Sequence, residues 1–578
     1  MEKLLESLIE RIKNSLEEKF SQFDFSKNNF SLEPTPNSEM GDFGFPCFPL
    51  AKIVKKSPQE IAEILAQEIR ADEIVEKTKA VGGYLNVFLK KDYFSEKVLK
   101  EILKEQDNFG RNKKGGKKKI LIDFSSPNTN KPQHLGHLRN NILGESISNI
   151  LENQGFKIIK TNLISDRGIH ICKSMLAYQK WGKGETPKSS GLKGDYLVGK
   201  YYVLFSEKSK ENPKLLEEVQ ELLRKWEAGD KETINLWQKM NNWVYQGFKE
   251  TYKKLGITFD RWDYESKNYK SGKKIVLDAL KKGKCYKRQD GAVEIDLTKY
   301  NLDKKVLIRS DGTTIYIIPD IGVAKLRYKE EKFDQCLYVT GFEQEYHFKV
   351  LFKILELFGF KWVDKLFHIP YGLVSLPSGK MKSREGKVVE TDELIIEVEE
   401  LAKKEILKRE LELPQAELKK RTDKIALASL KFFFLKFTSK QEICFDPQKE
   451  VSFEGDTGPY IQYAYARIES ILRKSALKNQ PSKIRAFNLQ TDEEWALIKL
   501  LFQYPQILEQ SSLNYNPAGV CLYLLQLASL FNKFYQKTPV LKAEKEEIKK
   551  ARLILIQSIA IVLKNGLNIL GIETLEKM

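Results

Sequence analysis

The stretch ILIDFSSPNTNKPQHLGHLRNNILG, residues 120–144, decides how the chain is interpreted. It opens with ILIDF, a short apolar run that favours a strand, and continues through SSPN, a run typical of turns. After Pro132 the apolar residues recur at helical spacing, so the pattern predicts a helix. His134 and His137 fall on one face of the first turn of that helix, with Gly136 between them. The pattern therefore predicts a buried strand, a loop and a helix that begins with two imidazoles.

The two histidines allow two interpretations. A helix N-terminus presents free N–H groups and the positive end of its dipole, so it favours phosphate, and imidazoles add donors. A glycine lets a flat ligand approach the backbone. The alternative is a pair of surface histidines beside a capped helix, and a four-residue pattern alone leaves both open. The strand–loop–helix context favours the anion site, because the whole chain has only five histidines.

The run SSPNTNKPQHLGHLRNNILGES resembles the HIGH signature of class I aminoacyl-tRNA synthetases, in the extended form carried by arginyl-tRNA synthetases. This resemblance continues along nearly the whole chain. It implies an ATP-dependent ligase that activates L-arginine as an adenylate and transfers it to the 3′ end of tRNA(Arg). It also implies that His134, His137 and Lys131 are catalytic, that they bind ATP together with Gly136, and that Mg²⁺ is a further cofactor.

Composition limits the class of protein. The chain has 578 residues, enough for several domains, and 41% of them are hydrophobic. A formal net charge of +18 favours polyanionic partners such as nucleic acid, although a lysine-rich proteome would give the same excess. The six cysteines form no CxxC pair, so we expect neither a disulfide framework nor a zinc site. The patterns show no signal peptide or membrane anchor, so we expect a cytoplasmic protein, and we expect a monomer.

Three domains are predicted along the chain. Residues 1–112 mix helical and strand patterns, as in a small α+β domain. In residues 113–400 short apolar strands alternate with helices, which predicts an α/β fold with a doubly wound, Rossmann-like parallel sheet. Within it, residues 181–260 break the alternation with long charged helices, which we interpret as an insertion. Residues 401–578 are almost entirely helical in pattern, as expected of an all-α bundle.

The two outer domains also carry the resemblance. The first resembles the N-terminal domain peculiar to arginyl-tRNA synthetases, which contacts the tRNA elbow. The run EGDTGPYIQYAYARI resembles their anticodon-binding helical domain. Its residues Tyr460, Tyr463, Tyr465 and Arg467 interleave aromatic and basic side chains, which suits stacking on unpaired bases. Aromatic residues at this spacing are as often the core of a helical bundle, so both interpretations stay open.

A second basic motif lies at residues 375–389, SLPSGKMKSREGKVV. A positive loop bounded by glycines suits a lid over departing pyrophosphate, and its alternative is a solvated basic loop. The run resembles the KMSKS loop of class I enzymes, with Lys382 in place of the first serine. Family members that lack the second lysine carry one before the HIGH motif, where this chain has Lys131. The resemblance implies that Lys380 is catalytic and that Lys380, Met381 and Lys382 contact ATP.

Recognition of arginine requires planar acceptors that match the guanidinium fork, and carboxylates supply them. The resemblance implies six arginine-binding candidates, namely Asp123, Asn128, Glu265, Tyr316, Asp320 and Gln344. Several have simpler alternatives: Asp320 as a helix cap, Tyr316 as a core residue and Glu265 as a surface charge.

Other functions also stay open at this stage. One is a class I synthetase of another amino-acid specificity, and another is a small nucleotidyltransferase, which needs neither outer domain. A third is a catalytically silent tRNA-binding paralogue, which would be expected to have lost the histidines or Lys380. These residues are intact. The resemblance further implies that adenylate formation requires cognate tRNA.

Overall fold

The computed structural model describes residues 2–25, 30–35, 38–377, 389–410, 412–475, 489 and 491–578. Three candidates from the second basic motif, Lys380, Met381 and Lys382, lie outside the described residues. The structure therefore places the HIGH motif and the arginine-binding candidates, and it leaves these three as predictions.

The N-terminal part is an antiparallel sheet with helices, and its strand order is β1-β2-β4-β3. Its elements are α1 (Glu2–Lys19), β1 (Glu33–Pro34), β2 (Phe43–Pro46), α2 (Phe48–Val54), α3 (Pro58–Glu68), β3 (Val75–Val81), β4 (Tyr84–Leu89) and α4 (Lys91–Glu105). Helix α3 starts at Pro58 because a capping box precedes it: the Ser57 hydroxyl accepts the Glu60 N–H, and the Glu60 carboxylate accepts the Ser57 N–H.

The central part contains a five-stranded sheet of order β12-β11-β5-β6-β7, in which every pair is parallel. Its first elements are β5 (Lys119–Asp123), α5 (Leu135–Asn153), β6 (Lys157–Ile164), α6 (Ile169–Trp181), α7 (Pro187–Ser190), α8 (Gly194–Glu211), α9 (Leu215–Ala228) and α10 (Lys231–Leu255). They are followed by β7 (Arg261–Tyr264), α11 (Glu265–Lys281), β8 (Tyr286–Lys287), β9 (Val293–Ile295), β10 (Lys305–Ile308), α12 (Ile317–Glu331), β11 (Gln335–Gly341), α13 (Glu345–Leu357), β12 (Leu366–Tyr371) and β13 (Val374–Ser375). The predicted α/β class with a doubly wound parallel sheet is confirmed.

Strand β5 lies at the centre of this sheet. Ile120, Leu121 and Ile122 are at most 1% exposed, which explains why ILIDF is apolar at successive positions rather than at alternate ones. The chain continues from β5 to β6 on one side, and β11 returns to pair with its other side. Such a switch of direction opens a crevice at the carboxyl ends of the strands. The HIGH motif follows β5 directly, so the fold places it at that crevice.

Two features of the central part were not predicted from sequence. Strand β7 extends the parallel sheet at one edge, and β8, β9 and β10 form a separate antiparallel sheet. Strands of two to four residues carry too little periodicity to be recognised. The long helices α8, α9 and α10 lie between β6 and β7 in the chain, within the stretch that was interpreted as an insertion.

The C-terminal part is a helical bundle. It contains α14 (Thr391–Leu407), α15 (Gln415–Leu435), β14 (Ile443–Cys444), α16 (Pro447–Glu450), α17 (Gly458–Lys474), α18 (Asp492–Leu513), α19 (Ala518–Lys537) and α20 (Glu546–Ile569). Helix α20 is the one helix of the described ranges that is long and apolar enough to cross a membrane, and 67% of its apolar window is buried inside the protein. This burial is expected of the core helix of a bundle.

Candidate active site

The two histidines occupy different positions at the start of α5. The helix begins at Leu135, and His134 is its N-cap residue (φ −113°, ψ 176°). The spacing had predicted that His134 belongs to the first turn, and that prediction is wrong. The Gly136 N–H donates to Nδ1 of His134 at 3.1 Å, and the His134 N–H donates to Nδ1 of His137 at 3.2 Å. Because each Nδ1 is an acceptor, each neutral ring carries its proton on Nε2. The pair therefore offers two N–H donors beside a helix N-terminus.

The electrostatic surroundings keep both rings neutral. Burial, together with the positive charge of the nearby Lys131, lowers the pKa of His134 to about 4. Burial also holds the pKa of His137 well below its usual value. Burial lowers the pKa of Lys131, and the carboxylate of Glu390 opposes that shift. Neutral imidazoles can donate to phosphate oxygens without first losing or gaining a proton.

A cleft of about 520 Å³ lies at the carboxyl ends of the central strands, a size typical of sites for small molecules. It brings together eight of the candidates from sequence: Asp123, Asn128, His134, His137, Glu265, Tyr316, Asp320 and Gln344. These residues come from four separate segments of the chain. Lys131 and Gly136 belong to the HIGH motif but are not among the residues that line this cleft.

Asp320 and Tyr316 lie at the start of α12. Tyr316 is the N-cap residue and is 72% exposed, so the alternative of a core tyrosine is wrong. Asp320 lies in the first turn, where its carboxylate bonds to Nε2 of His347 at 2.7 Å and does not cap the helix. Both candidates therefore remain available to a ligand in the cleft, with Asp320 held by a histidine from α13.

Glu265 begins helix α11 at the same cleft. The Ser165 hydroxyl donates to its carboxylate at 2.9 Å. Burial, together with the neighbouring charge of Asp320, raises the pKa of Glu265 to about 8. At neutral pH this carboxyl is therefore mostly protonated in the free protein.

Asp123 is already engaged at the end of β5. Arg327, which is fully buried, donates from Nη2 to Asp123 at 2.9 Å and from Nε to Asp263 at 2.8 Å. A ligand guanidinium at Asp123 would have to share this carboxylate with Arg327. By contrast, Asn128 and Gln344 are exposed at the rim of the cleft.

Sequence reasoning missed two residues of this region. His347 follows Gln344 by three residues in GFEQEYH, and the scarcity of histidine in the chain was a signal that could have found it. Arg139 follows the second histidine of the HIGH motif, but no local pattern distinguishes it from a surface arginine on a helix. Its side chain is fully buried.

Chain segments around the second basic motif are attached to the HIGH turn. The Leu135 N–H donates to the Val389 carbonyl at 3.2 Å, and the Thr391 N–H donates to the Gln133 carbonyl at 2.8 Å. The Thr391 hydroxyl also donates to the carbonyl of His134 at 3.1 Å. The chain thus returns from residues 378–388 directly onto the turn that carries the two histidines.

The candidate tRNA-binding side chains lie on α17. Tyr465 is 8% exposed and packs in the bundle, whereas Tyr460 and Tyr463 are half-buried. The Arg467 guanidinium stacks over Tyr463 at 4.7 Å and over Tyr535 at 5.3 Å, and it donates to Asn532 at 2.7 Å. Three of the four candidates therefore reach solvent.

Family comparisons agree with this geometry. The model described as tRNA synthetases class I (R), catalytic domain, matches residues 98–446. The DALR anticodon binding domain matches residues 461–578, and the arginyl tRNA synthetase N terminal domain matches residues 6–89. Together these three models match most of the chain.

Individual relatives match over the full length. The arginine–tRNA ligase of Treponema denticola is 46% identical, with 95% of each chain covered, and that of Parabacteroides distasonis is 42% identical, with 96% of each covered. The structure of Thermus thermophilus arginyl-tRNA synthetase superposes with a TM-score of 0.82 at 28% identity, with 100% of both chains covered. By its domains, its relatives and its fold, the chain belongs to the arginyl-tRNA synthetase family of class I.

Proposed function

We propose that this arginine–tRNA ligase assembles arginyl-adenylate in the cleft at the carboxyl ends of β5, β6 and β11. One observation carries the proposal. The same cleft contains the two neutral imidazoles of the HIGH motif and the carboxyl groups of Asp320 and Glu265. The first pair suits phosphate and the second suits a guanidinium, so both substrates of the activation step have matching partners within one site.

On the ATP side, we assign the phosphates to the Nε2–H groups of His134 and His137, with Lys131 and the backbone at Gly136 beside them. Lys380, Met381 and Lys382 complete this assignment from the motif alone, with Lys380 as a catalytic cation. Among the described residues no group of three or more His, Cys, Asp or Glu side chains could hold a metal. This fits Mg²⁺ that arrives on the ATP phosphates, as is usual for this ion.

The reaction needs positioning more than proton transfer. The α-carboxyl of arginine has a pKa of about 3.5 and is already ionised, so no general base is required. Its oxygen attacks the α-phosphorus, the bond to the β-phosphate breaks, and pyrophosphate leaves. The imidazole N–H groups stabilise the charge that develops on the phosphate oxygens. The terminal ribose hydroxyl of tRNA then attacks the carbonyl of the mixed anhydride, and AMP leaves.

On the arginine side, we propose that Asp320 is the main carboxylate partner of the guanidinium, with Tyr316 at the N-cap of the same helix. Glu265 contributes a second carboxyl, and Asn128 and Gln344 supply polar contacts from the rim. His347 holds the Asp320 carboxylate through a hydrogen bond of 2.7 Å.

Asp123 has an indirect role in this assignment. Its carboxylate holds the buried Arg327, which also bonds to Asp263 and Thr161 at the base of the cleft. We therefore propose that the Asp123 carboxylate acts mainly through Arg327, and that any contact with the substrate arginine uses the carboxylate that already bonds to Arg327.

For tRNA(Arg), we propose that residues 1–112 contact its elbow and residues 401–578 read its anticodon. Residues 113–400, with the insertion at 181–260, hold its acceptor end. Tyr460, Tyr463 and Arg467 are the stacking candidates, because they are half-exposed on α17. Tyr465 supports them by packing in the bundle. The excess of positive charge supports binding of a polyanion, and we propose a cytoplasmic monomer.

The test is to charge total tRNA with each labelled amino acid in turn. We expect esterification of arginine only, and only with ATP and Mg²⁺ present. Esterification of another amino acid in preference to arginine would contradict the assignment of the carboxyl groups. Binding of tRNA without any charging would indicate a silent paralogue.

A further inference from the structure

Arg139 is a buried cation without an acidic partner. Its side chain is 0% exposed, and among the described residues no carboxylate lies within ion-pair distance of it. Nη1 donates to the carbonyls of Gly372 at 2.6 Å and of Gln441 at 2.8 Å, and Nη2 donates to that of Ser439 at 3.0 Å. A buried charge is costly unless hydrogen bonds compensate it. The burial of Arg139 therefore requires three backbone segments to lie in fixed positions around the guanidinium.

The three segments belong to different parts of the molecule. Arg139 itself lies on α5, two residues after His137. Gly372 lies between β12 and β13, at the edge of the catalytic sheet. Ser439 and Gln441 lie between α15 and β14, after the first two helices of the C-terminal part and close to residue 446, where the match to the catalytic-domain model ends. The guanidinium therefore joins the HIGH helix to the junction between the catalytic and helical parts.

The junction is closed by backbone contacts around the guanidinium. The Gly372 N–H donates to the Ser439 carbonyl at 2.9 Å, and the Ile443 N–H donates to the Leu373 carbonyl at 3.0 Å. A Cβ atom at Gly372 would lie 2.6 Å from the carbonyl oxygens of Lys440 and Gln441, so only glycine permits this approach. Strands β13 and β14 then pair in parallel.

We propose that Arg139 is a positioning residue that couples the helical, tRNA-binding part of the chain to the two histidines of the HIGH motif. This rests on the function proposed above. If tRNA held by the helical bundle favours one position of residues 438–443, it also favours one position of α5. The two positions are linked because the Arg139 guanidinium on α5 donates to carbonyls of residues 438–443. A ligand shifts such an equilibrium only by its differential affinity for the two arrangements.

Arginine is required at this position by its geometry. Nη1 donates to carbonyls of both segments, those of Gly372 and Gln441, and the planar fork places Nη2 on a third carbonyl, that of Ser439. A lysine ammonium is a single point with three donors on a flexible stem, and it cannot hold the three carbonyls in this fixed planar arrangement. Burial lowers the pKa of Arg139 to about 10, so the group stays charged at neutral pH. Arg139→Lys should therefore keep the charge and lose the bridge, and Arg139→Met should lose both.

The test is ATP–pyrophosphate exchange with saturating tRNA(Arg), together with tRNA affinity measured separately by filter binding. For both variants we expect the tRNA-stimulated exchange rate to fall by at least about tenfold, within the usual range of coupling between sites. The tRNA affinity and the Michaelis constants for ATP and arginine should change by less than about threefold. Unchanged stimulation, or a loss of tRNA affinity equal to the loss of rate, would overturn the proposal.

Asn149→Ala is the matched control. Asn149 also lies on α5 and donates to the Ile569 carbonyl of the bundle at 3.2 Å, away from the β13–β14 junction. We expect Asn149→Ala to keep the full tRNA-stimulated exchange rate. A loss of that rate equal to the loss in the Arg139 variants would indicate general loosening of the interface and overturn the role of Arg139. A wild-type protein that fails to charge arginine would instead contradict the proposed function.

Hydrogen exchange on the wild-type protein tests the proposal without any variant. We expect bound tRNA to slow exchange of the Gly372 and Ile443 amides and of the Leu138 amide, which donates to the His134 carbonyl at 3.1 Å. Protection confined to the helical bundle would overturn the coupling.

Discussion

The Nδ1 atoms of His134 and His137 both accept backbone N–H groups, and this leaves Nε2–H of each ring as the donor. Burial lowers the pKa of His134 to about 4, so the donors persist throughout the neutral range. The chemistry of the pair is therefore determined by local hydrogen bonds at the start of α5, not by the residue type alone.

We expect His134→Ala and His137→Ala each to slow adenylate formation by about 10²–10³-fold, as for the loss of one donor aimed at transition-state charge. Arginine affinity should change little. The measurement is ATP–pyrophosphate exchange in the presence of tRNA. His170→Ala is the control, because His170 is exposed and bonds to Tyr202 on α8. Wild-type turnover in both folded variants would show that the site is elsewhere.

Asp320→Asn should lower kcat/KM for arginine and leave the Michaelis constant for ATP nearly unchanged. A neutral amide cannot compensate the guanidinium, and an unpaired buried charge costs up to about 3–5 kcal/mol, less in a site open to solvent. Steady-state kinetics with each substrate varied in turn would show the split. Asp303→Asn, at an exposed carboxylate bonded to Tyr346, is the control. If kcat/KM for arginine is unchanged, Asp320 serves only to hold His347.

Arginine binding should release a proton near pH 7. In the free protein the pKa of Glu265 is raised to about 8 by burial and by Asp320, so the carboxyl is mostly protonated. A bound guanidinium favours the charged form and lowers that pKa. Affinity should therefore rise as pH increases from about 6 to 8 and level off above the free-state pKa.

Calorimetry of arginine binding in buffers of different ionisation enthalpy measures this proton directly. Glu265→Gln should abolish the release, because an amide does not titrate. An affinity that stays constant from pH 6 to 8 in the wild-type protein would contradict the assignment of Glu265 to the guanidinium.

At the scale of elements, the side of the cleft that we assign to arginine depends on the close crossing of α11 and α12. A Cβ at Gly272 would lie 2.0 Å from the carbonyl oxygen of Ile318, and one at Gly322 would lie 2.8 Å from that of Asn268. The two helices can approach only because both positions are glycine. This crossing places the N-terminus of α12, with Tyr316 and Asp320, over the cleft.

Gly272→Ala should therefore displace α12 and raise the Michaelis constant for arginine several-fold. Overpacking of this kind costs about 1–3 kcal/mol of stability, so the melting temperature should also fall. Kinetics and thermal unfolding of the variant measure both effects. Lys274→Ala, on the exposed face of the same helix, should change neither. A variant with unchanged kinetics and melting would show that α12 is positioned by other contacts.

At the scale of the whole molecule, α5 runs from the catalytic cleft into the helical bundle. Its first residues carry the histidines, and Asn149 near its other end bonds to the Ile569 carbonyl of the bundle. The chain that follows residues 378–388 returns to the HIGH turn through Val389 and Thr391. The return of the chain onto the HIGH turn therefore gives events in the helical domain a direct physical route to the residues that we assign to catalysis, whereas the Asn149 contact lies at the far end of α5 from them.

We expect adenylate formation itself to require cognate tRNA. If the competent arrangement of Lys131 and Tyr316 is a minor state of the free protein, tRNA favours it through differential affinity, while a ligand that bound both states equally would shift nothing. The measurement is pyrophosphate exchange with nuclease-treated protein, before and after tRNA(Arg) is added. Full exchange without tRNA would contradict this coupling and leave the ligase activity standing.

Much of the fold was accessible from sequence because the signals are local. ILIDF predicted a buried strand, and the apolar spacing after Pro132 predicted α5. The structure contains both elements, as β5 and α5. The α/β class, the helical C-terminal part and the family were likewise predicted and confirmed, because periodicity and long motifs survive without tertiary information.

The tertiary structure alone decided how the site is used. Chain segments as far apart as Asp123 and Tyr371 meet at one crevice, and only that meeting shows that Asp123 is shared with Arg327 and that Asp320 is held by His347. It also shows Arg139 as a buried bridge between distant backbone segments. Such partners are long-range contacts. Neither the periodicity nor the local motifs of a sequence encode which distant residue will form a hydrogen bond with a given side-chain atom.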